Sequence, residues 1–143
     1  MPPLFPNVKE TLQEFHQQGY VLTVTSSRSS ASLNDFLHDM SFAAYVSYIV
    51  GADDVTHAKP DPEPVLKTLK ALGIPAHETL VVGDMPVDIM MGAGTRTCAV
   101  TYGNASRQQL EAAGTDFIID DMAELLRLHH QIKNPGKTSG RQA

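Results

Sequence analysis

"VVGDMPVDIMMGAGTRT", residues 81–97, runs from two valines into Gly83 and Asp84, and places a second carboxylate, Asp88, four positions further on. An apolar run that delivers an acid to its C-terminal end, with Pro86 opening a helical stretch straight after, reads as a β-strand feeding an α-helix. Carboxylates at such a junction commonly hold a metal, and such a metal commonly holds a phosphate group. The stretch therefore predicts an α/β fold with a site at the strand tip.

Outward from it, strand-like and helix-like segments alternate. Residues 7–19 put Val8, Leu12 and Phe15 on one helical face and close at Gly19. Residues 20–25, "YVLTVT", read as a buried strand. Leu33, Phe36, Leu37 and Met40 then recur at helical spacing behind a serine N-cap. Residues 45–51, "YVSYIVG", read as the second strand. Asp61 is a candidate cap for a helix with Pro62 and Pro64 in its first turn, an apolar stripe of Val65, Leu66, Leu69 and Leu72, and a stop at Gly73. Residues 79–83 make the third strand, 97–103 the fourth and 116–120 the fifth. Ser106 and Gln109 form a capping-box pattern for a helix reaching Ala113, and Asp121 opens a last helix with Met122, Leu125 and Leu126 on one side. This alternation predicts a three-layer α/β/α parallel sheet of Rossmann type, covered by helices on both faces. Ligands of such sheets bind beyond the carboxyl ends of the strands.

Length and composition bound the function. The 143 residues make one domain's worth of chain, 42% hydrophobic and 19% charged, with a formal net charge of −5 and no basic run. That balance argues against a nucleic-acid partner. The single cysteine, Cys98, leaves no intrachain disulfide and fits a reducing compartment. No apolar run approaches the ~20 residues that span a bilayer, and the first ten residues lack a signal-peptide pattern. The expectation is a cytoplasmic protein with one core domain over 1–132 and a disordered polar tail over 133–143. The adjacent His129 and His130 cannot share a helical face and make a poor metal pair. Met85, Met90 and Met91 read as core filler.

In a parallel sheet, the residues just past each strand meet along one edge. Past the first come Thr25, Ser26, Ser27 and Arg28, where hydroxyls and free helix N-terminal amides would cradle an anion. Past the second comes Lys59, in "THAKPDPEP", and past the third come Asp84 and Asp88. Taken singly, these are an ordinary cap, a solvated lysine and a helix-dipole partner. Taken together they supply what phosphate binding needs: hydroxyls and an ammonium for the anion, and hard oxygen ligands for Mg²⁺.

These motifs also carry a likeness. The chain resembles the haloacid-dehalogenase superfamily of phosphohydrolases, especially its phosphoglycolate-phosphatase-like members, over residues 4 to about 128. "LTVTSS" is similar to that family's second motif, which implies that Thr25 is the phosphate-binding hydroxyl with Ser26 beside it. "AKPDPEP" is similar to the third, implying that Lys59 balances the phosphate charge. "VVGDMPVD" is similar to the fourth, implying that Asp84 is a Mg²⁺ ligand and that Asp88 supports the metal site. The family's first motif, a strand ending in D-x-D whose first Asp is the nucleophile, has no counterpart here, nor does its helical cap domain. In the family that strand lies between the strands matching those that end at Thr25 and Asp84. About two residues fewer than usual follow Gly92, which predicts a short or re-registered helix after Asp84.

The resemblance thus implies a Mg²⁺-dependent phosphatase for a small phosphorylated metabolite, incomplete and inactive as this isolated chain. The rival expectations are a non-catalytic phosphate-binding module and a truncated product without function. A sheet lacking its central strand is also expected to self-associate through exposed strand edges.

Overall fold

The computed structural model describes residues 7–92 and 94–133, with side chains up to Leu128. The tail expected from 133 onward lies outside these residues, save for Lys133 at the end of the last helix, and so do the side chains of His129 and His130. Six helices and five strands follow one another as α1 (Val8–Gln17), β1 (Leu22–Thr25), α2 (Ser30–Asp39), β2 (Val46–Val50), α3 (Glu63–Leu72), β3 (Leu80–Gly83), α4 (Pro86–Met91), β4 (Arg96–Val100), α5 (Arg107–Ala112), β5 (Phe117–Ile119) and α6 (Glu124–Lys133). No described helix is long and apolar enough to cross a membrane.

All strand pairing is parallel, as the alternation predicts, but it falls into two sheets. β1 pairs with β2, bringing Thr25 opposite Val50, while β3 pairs with β4 and β4 with β5, bringing Gly83 opposite Ala99. Among the described residues no ladder joins β1 to β3. A cleft of about 530 Å³ lies between them instead.

The layers follow from alternation along β4. Cys98 and Val100 point to one face, into a core with Phe15 of α1, Phe117 and Ile119 of β5, and Leu125 of α6. Ala99 points to the other face, against Ile89 of α4, Ala105 and Leu110 of α5. A third cluster buries Leu33 and Leu37 of α2 with Phe42 beside β1 and β2. The two sheets are held together by helices rather than by a ladder: Phe15, in the helix packed on β1, enters the β4–β5 core. Asn7 Nδ2 adds hydrogen bonds of 3.1 and 3.0 Å to the two carboxylate oxygens of Asp121.

Local signals hold at the helix ends. Ser29 Oγ accepts from Ser32 N at 3.2 Å, and Ser106 and Gln109 complete their box with bonds of 3.1 and 2.9 Å. Asp61 Oδ1 accepts from Glu63 N at 2.9 Å, although Pro62 occupies the cap position itself. The helix after Asp84 is short, at six residues.

Two sequence expectations need correction. Leu66 is exposed; the inward stripe of α3 is Val65, Thr68, Leu69 and Leu72, at i, i+3, i+4 and i+7. Thr68 fits that stripe because its hydroxyl donates to Pro64 O at 2.9 Å, leaving only a methyl to pack. Of the methionines, Met91 is buried, but Met85, the extended residue before α4, and Met90 within it are exposed.

Candidate active site

Residues past β1 and β3 open onto one cleft, and Lys59, from the loop after β2, reaches Asp88 there. β1 ends at Thr25, and its last amide neighbour, Ser26 N, donates to Val50 O at 3.0 Å, which fixes the turn against β2. Ser26 Oγ accepts from Arg28 N at 3.1 Å, so its own proton still points elsewhere. Both residues are half-buried.

The N-terminus of α2 is not the open anion cradle that the hydroxyl-rich turn predicted. Asp53, from the loop after β2, inserts its carboxylate there and accepts from Ser30 N at 2.6 Å and from Ser30 Oγ at 2.9 Å. Those bonds hold the Asp53 carboxyl below its usual range. The chain thus carries its own anion at that helix start, where the macrodipole favours one. The close approach needs Gly51: a Cβ there would lie 2.4 Å from Ser30 N.

Lys59 and Asp88 meet directly. Lys59 Nζ donates to Asp88 Oδ1 at 2.6 Å, with 22% and 11% of the two side chains exposed. Asp88 Oδ2 accepts from Met85 N at 3.1 Å, closing the first turn of α4. The carboxylate sits so near the end of β3 that a Cβ on Gly83 would fall 2.2 Å from Asp88 Cβ. That is why the strand ends in glycine. The loop before Lys59 is pinned by Glu63, whose carboxylate accepts from Thr56 N at 2.8 Å and His57 N at 2.9 Å and is held below its ordinary range by those bonds.

Asp84, one residue past β3, is half-buried under the loop after β4, where a Cβ on Gly103 would lie 2.4 Å from Asp84 Oδ2. Its charge also reaches Tyr102, whose hydroxyl is pushed up to about 12, mainly by burial and then by Asp84. Thr25 and Asp88 line the mouth of the cleft between β1 and β3. The structure therefore brings Lys59 onto Asp88 and sets Thr25 beside the same opening, with Asp84 on the loop between β3 and α4.

For Mg²⁺, the available acids are these two. Among the described residues no group of three His, Cys, Asp or Glu gathers for a metal. Two carboxylates suit a Mg²⁺ that keeps most of its waters and shares phosphate oxygens, since this ion is commonly held that way. They do not make a closed protein cage.

The paired contacts missed by sequence reasoning are Asp53 on α2 and Asp88 on Lys59. The first had no signal beyond an acid after a strand. The second had one, because a lysine and an acid had each been placed at the same sheet edge.

Comparison with known proteins places the fold in a family. A model of the haloacid dehalogenase-like hydrolase family matches residues 1–100. The chain is 38% identical over 124 residues to pyrophosphatase PpaX of Bacillus cereus strain AH820, covering 85% of this chain and 57% of that protein. Against PpaX of Bacillus velezensis it is 36% identical over 126 residues, 87% of this chain and 58% of the other. A haloacid dehalogenase-like hydrolase from Bacteroides fragilis superimposes with a TM-score of 0.81 at 32% identity, over 85% of this chain and 59% of its own. A predicted phosphoglycolate phosphatase from Haemophilus somnus gives 0.83 at 29%, over 89% and 57%. The chain thus spans less than two thirds of the length of these relatives. The parallel α/β architecture and these similarities agree: the chain belongs to the haloacid dehalogenase-like hydrolase family.

Proposed function

We propose that this chain carries the charge-balancing part of a phosphatase site for a small phosphorylated metabolite. The observation that supports it best is the Lys59–Asp88 pair at 2.6 Å, set at the mouth of the cleft that Thr25 also lines. Thr25 and Ser26 would donate hydroxyl protons to phosphate oxygens. Lys59, already desolvated to about a fifth of its exposure, would neutralise one phosphate charge. Asp84, with Asp88, would hold Mg²⁺, which supplies charge neutralisation to the phosphoryl group. Asp88 has a second task that needs no metal: it fixes the ammonium in place. A pyrophosphatase and a phosphoglycolate phosphatase among the similar proteins favour a small phosphoester or phosphoanhydride as the ligand class.

Phosphoryl transfer also needs a nucleophile. Asp88 already holds Lys59 and Met85 N, and this reading gives Asp84 to the metal, so it assigns neither to attack on phosphorus. The reading is therefore that the isolated chain binds phosphate weakly and does not turn it over. Titrating inorganic phosphate with Mg²⁺ into the chain, followed by NMR shifts, should show millimolar binding that Lys59→Met weakens at least several-fold. Equal binding by both proteins would overturn the phosphate assignment. Hydrolysis of para-nitrophenyl phosphate or pyrophosphate that disappears in Asp84→Asn would overturn the claim of inactivity.

A further inference from the structure

The two acids after β3 are held in different ways. Asp88 is fixed by hydrogen bonds from Lys59 Nζ and Met85 N. Asp84 accepts no hydrogen bond from the described residues, so its orientation rests on packing. That packing comes from the loop joining β4 to α5. Tyr102 packs against the core face that holds Phe15 and Val100, while Ala105 is buried on the opposite face with Ile89 and Leu110. Between Tyr102 and Ala105 the loop therefore crosses the carboxyl edge of the sheet, and Gly103 lies at the crossing. A Cβ on Gly103 would fall 2.4 Å from Asp84 Oδ2 and 2.7 Å from Asp84 Cβ. Gly103 is not among the glycines with positive φ, so its lack of a side chain serves this close approach and not a turn.

We propose that this loop is the positioning device for Asp84, with Gly103 as the contact and Asp120, at the tip of β5, as the tie that holds the loop in place. Both ends of the loop meet at Asp120. Its Oδ1 accepts from Thr101 Oγ1 at 2.5 Å, where the loop leaves β4, and from Arg107 Nη2 at 2.8 Å, where the loop enters α5. Thr101 N also donates to Ile119 O at 3.0 Å, which carries the β4–β5 pairing one step further. The Arg107 and Asp120 side chains are 51% and 68% exposed, so the tie adds little to global stability and acts on the path of the loop. Backbone packed against a carboxylate closes the staggered wells that would swing it into that backbone. An Asp84 confined in this way loses less rotamer freedom when it takes up a ligand. The consequence for metal binding rests on the reading of Asp84 as a Mg²⁺ ligand given above; the contact itself does not.

The test compares the unaltered chain with Gly103→Ala and Asp120→Ala by NMR. Three-bond couplings about the Cα–Cβ bond of Asp84 should report one rotamer in the unaltered chain. Both variants should give a changed or averaged set, with the larger change in Gly103→Ala. Mg²⁺ alone, titrated into each protein, should bind Gly103→Ala about ten-fold more weakly, the scale of losing a group that orients a metal ligand. Asp120→Ala should weaken it by a smaller factor. Asp120→Asn keeps an oxygen that can accept both bonds and should restore the couplings and the affinity. Inorganic phosphate without Mg²⁺ should bind all four proteins alike, which a general loss of structure would not allow. If Gly103→Ala fails to fold, the couplings in Asp120→Ala decide. Couplings of Asp84 that match the unaltered chain in every folded variant would overturn the proposal, whether or not the chain binds Mg²⁺. Couplings that shift in a chain that takes up no Mg²⁺ would support the positioning contact and sink the metal role of Asp84 instead.

Discussion

Val82 and Cys98 are register partners across one parallel ladder, yet Val82 is 37% exposed and Cys98 is fully buried. Cys98 belongs to β4, which is paired on both edges and covered on both faces. Val82 belongs to β3, which is paired on one edge and borders the cleft on the other. Both residues are apolar, so their different environments come from neighbours and not from residue type. One half of the molecule is closed, and the other half ends at the cleft with apolar walls in view of solvent.

The largest test of that contrast is truncation in the closed half. Phe117→Ala, at a side chain only 1% exposed, should lower stability by ~3–5 kcal/mol in urea unfolding. A loss under about 1 kcal/mol would mean that the β4–β5 core does not hold the fold. Next comes the clasp at the cleft mouth. Lys59→Met should remove about 1–2 kcal/mol, since Asp88 keeps its bond to Met85 N but loses a charged partner while mostly buried. Asp88→Asn should remove a similar amount, and a neutral effect in both would show that the pair is a surface contact.

Acid should act on the two carboxylates held below their usual range. Asp53 caps α2 and Glu63 pins the loop before Lys59, each through backbone N–H groups. A carboxylate with a depressed folded pKa stabilises the fold above its unfolded value and loses that contribution as pH falls. The thermal midpoint should therefore drop as pH goes from neutral to about 3, through the ordinary carboxylate range near 4. Glu63→Gln should flatten part of that drop. The smallest effect belongs to the open half: Val82→Thr should change stability by no more than about 0.5 kcal/mol, because that side chain is already partly wet. A loss as large as that of Phe117→Ala would remove the distinction between the halves.

Much of the fold was legible because each element states its own periodicity. All five strands fall within three residues of their predicted bounds, and the Ser106–Gln109 box closes as its spacing implies. Period and cap chemistry are local, so they survive without knowledge of partners. What was not legible depends on encounters between elements. Leu66 has the right residue type for a core stripe but lies one step off the face that α3 turns inward. Asp53 fills the helix start that Thr25, Ser26 and Ser27 suggested as a ligand cradle, and nothing near Ser30 in sequence announces an acid 23 residues away. Lys59 and Asp88 were both placed at the site edge, but only the fold shows that they neutralise each other before any ligand arrives.

The strand order carries a kinetic consequence. Among the described residues every strand pairs with its neighbour in sequence: β1 with β2, β3 with β4, β4 with β5. Each pairing spans one helical crossover within its own sheet, so each sheet can assemble as its own unit before the helices of α1, α3 and α6 bring the two together. Anything that enters the cleft between β1 and β3 must wait for both walls to exist. It is then absent from the rate-limiting step of folding, and its stabilisation falls on the reverse rate. An occupied cleft would leave the refolding rate nearly unchanged while lengthening the lifetime of the folded chain.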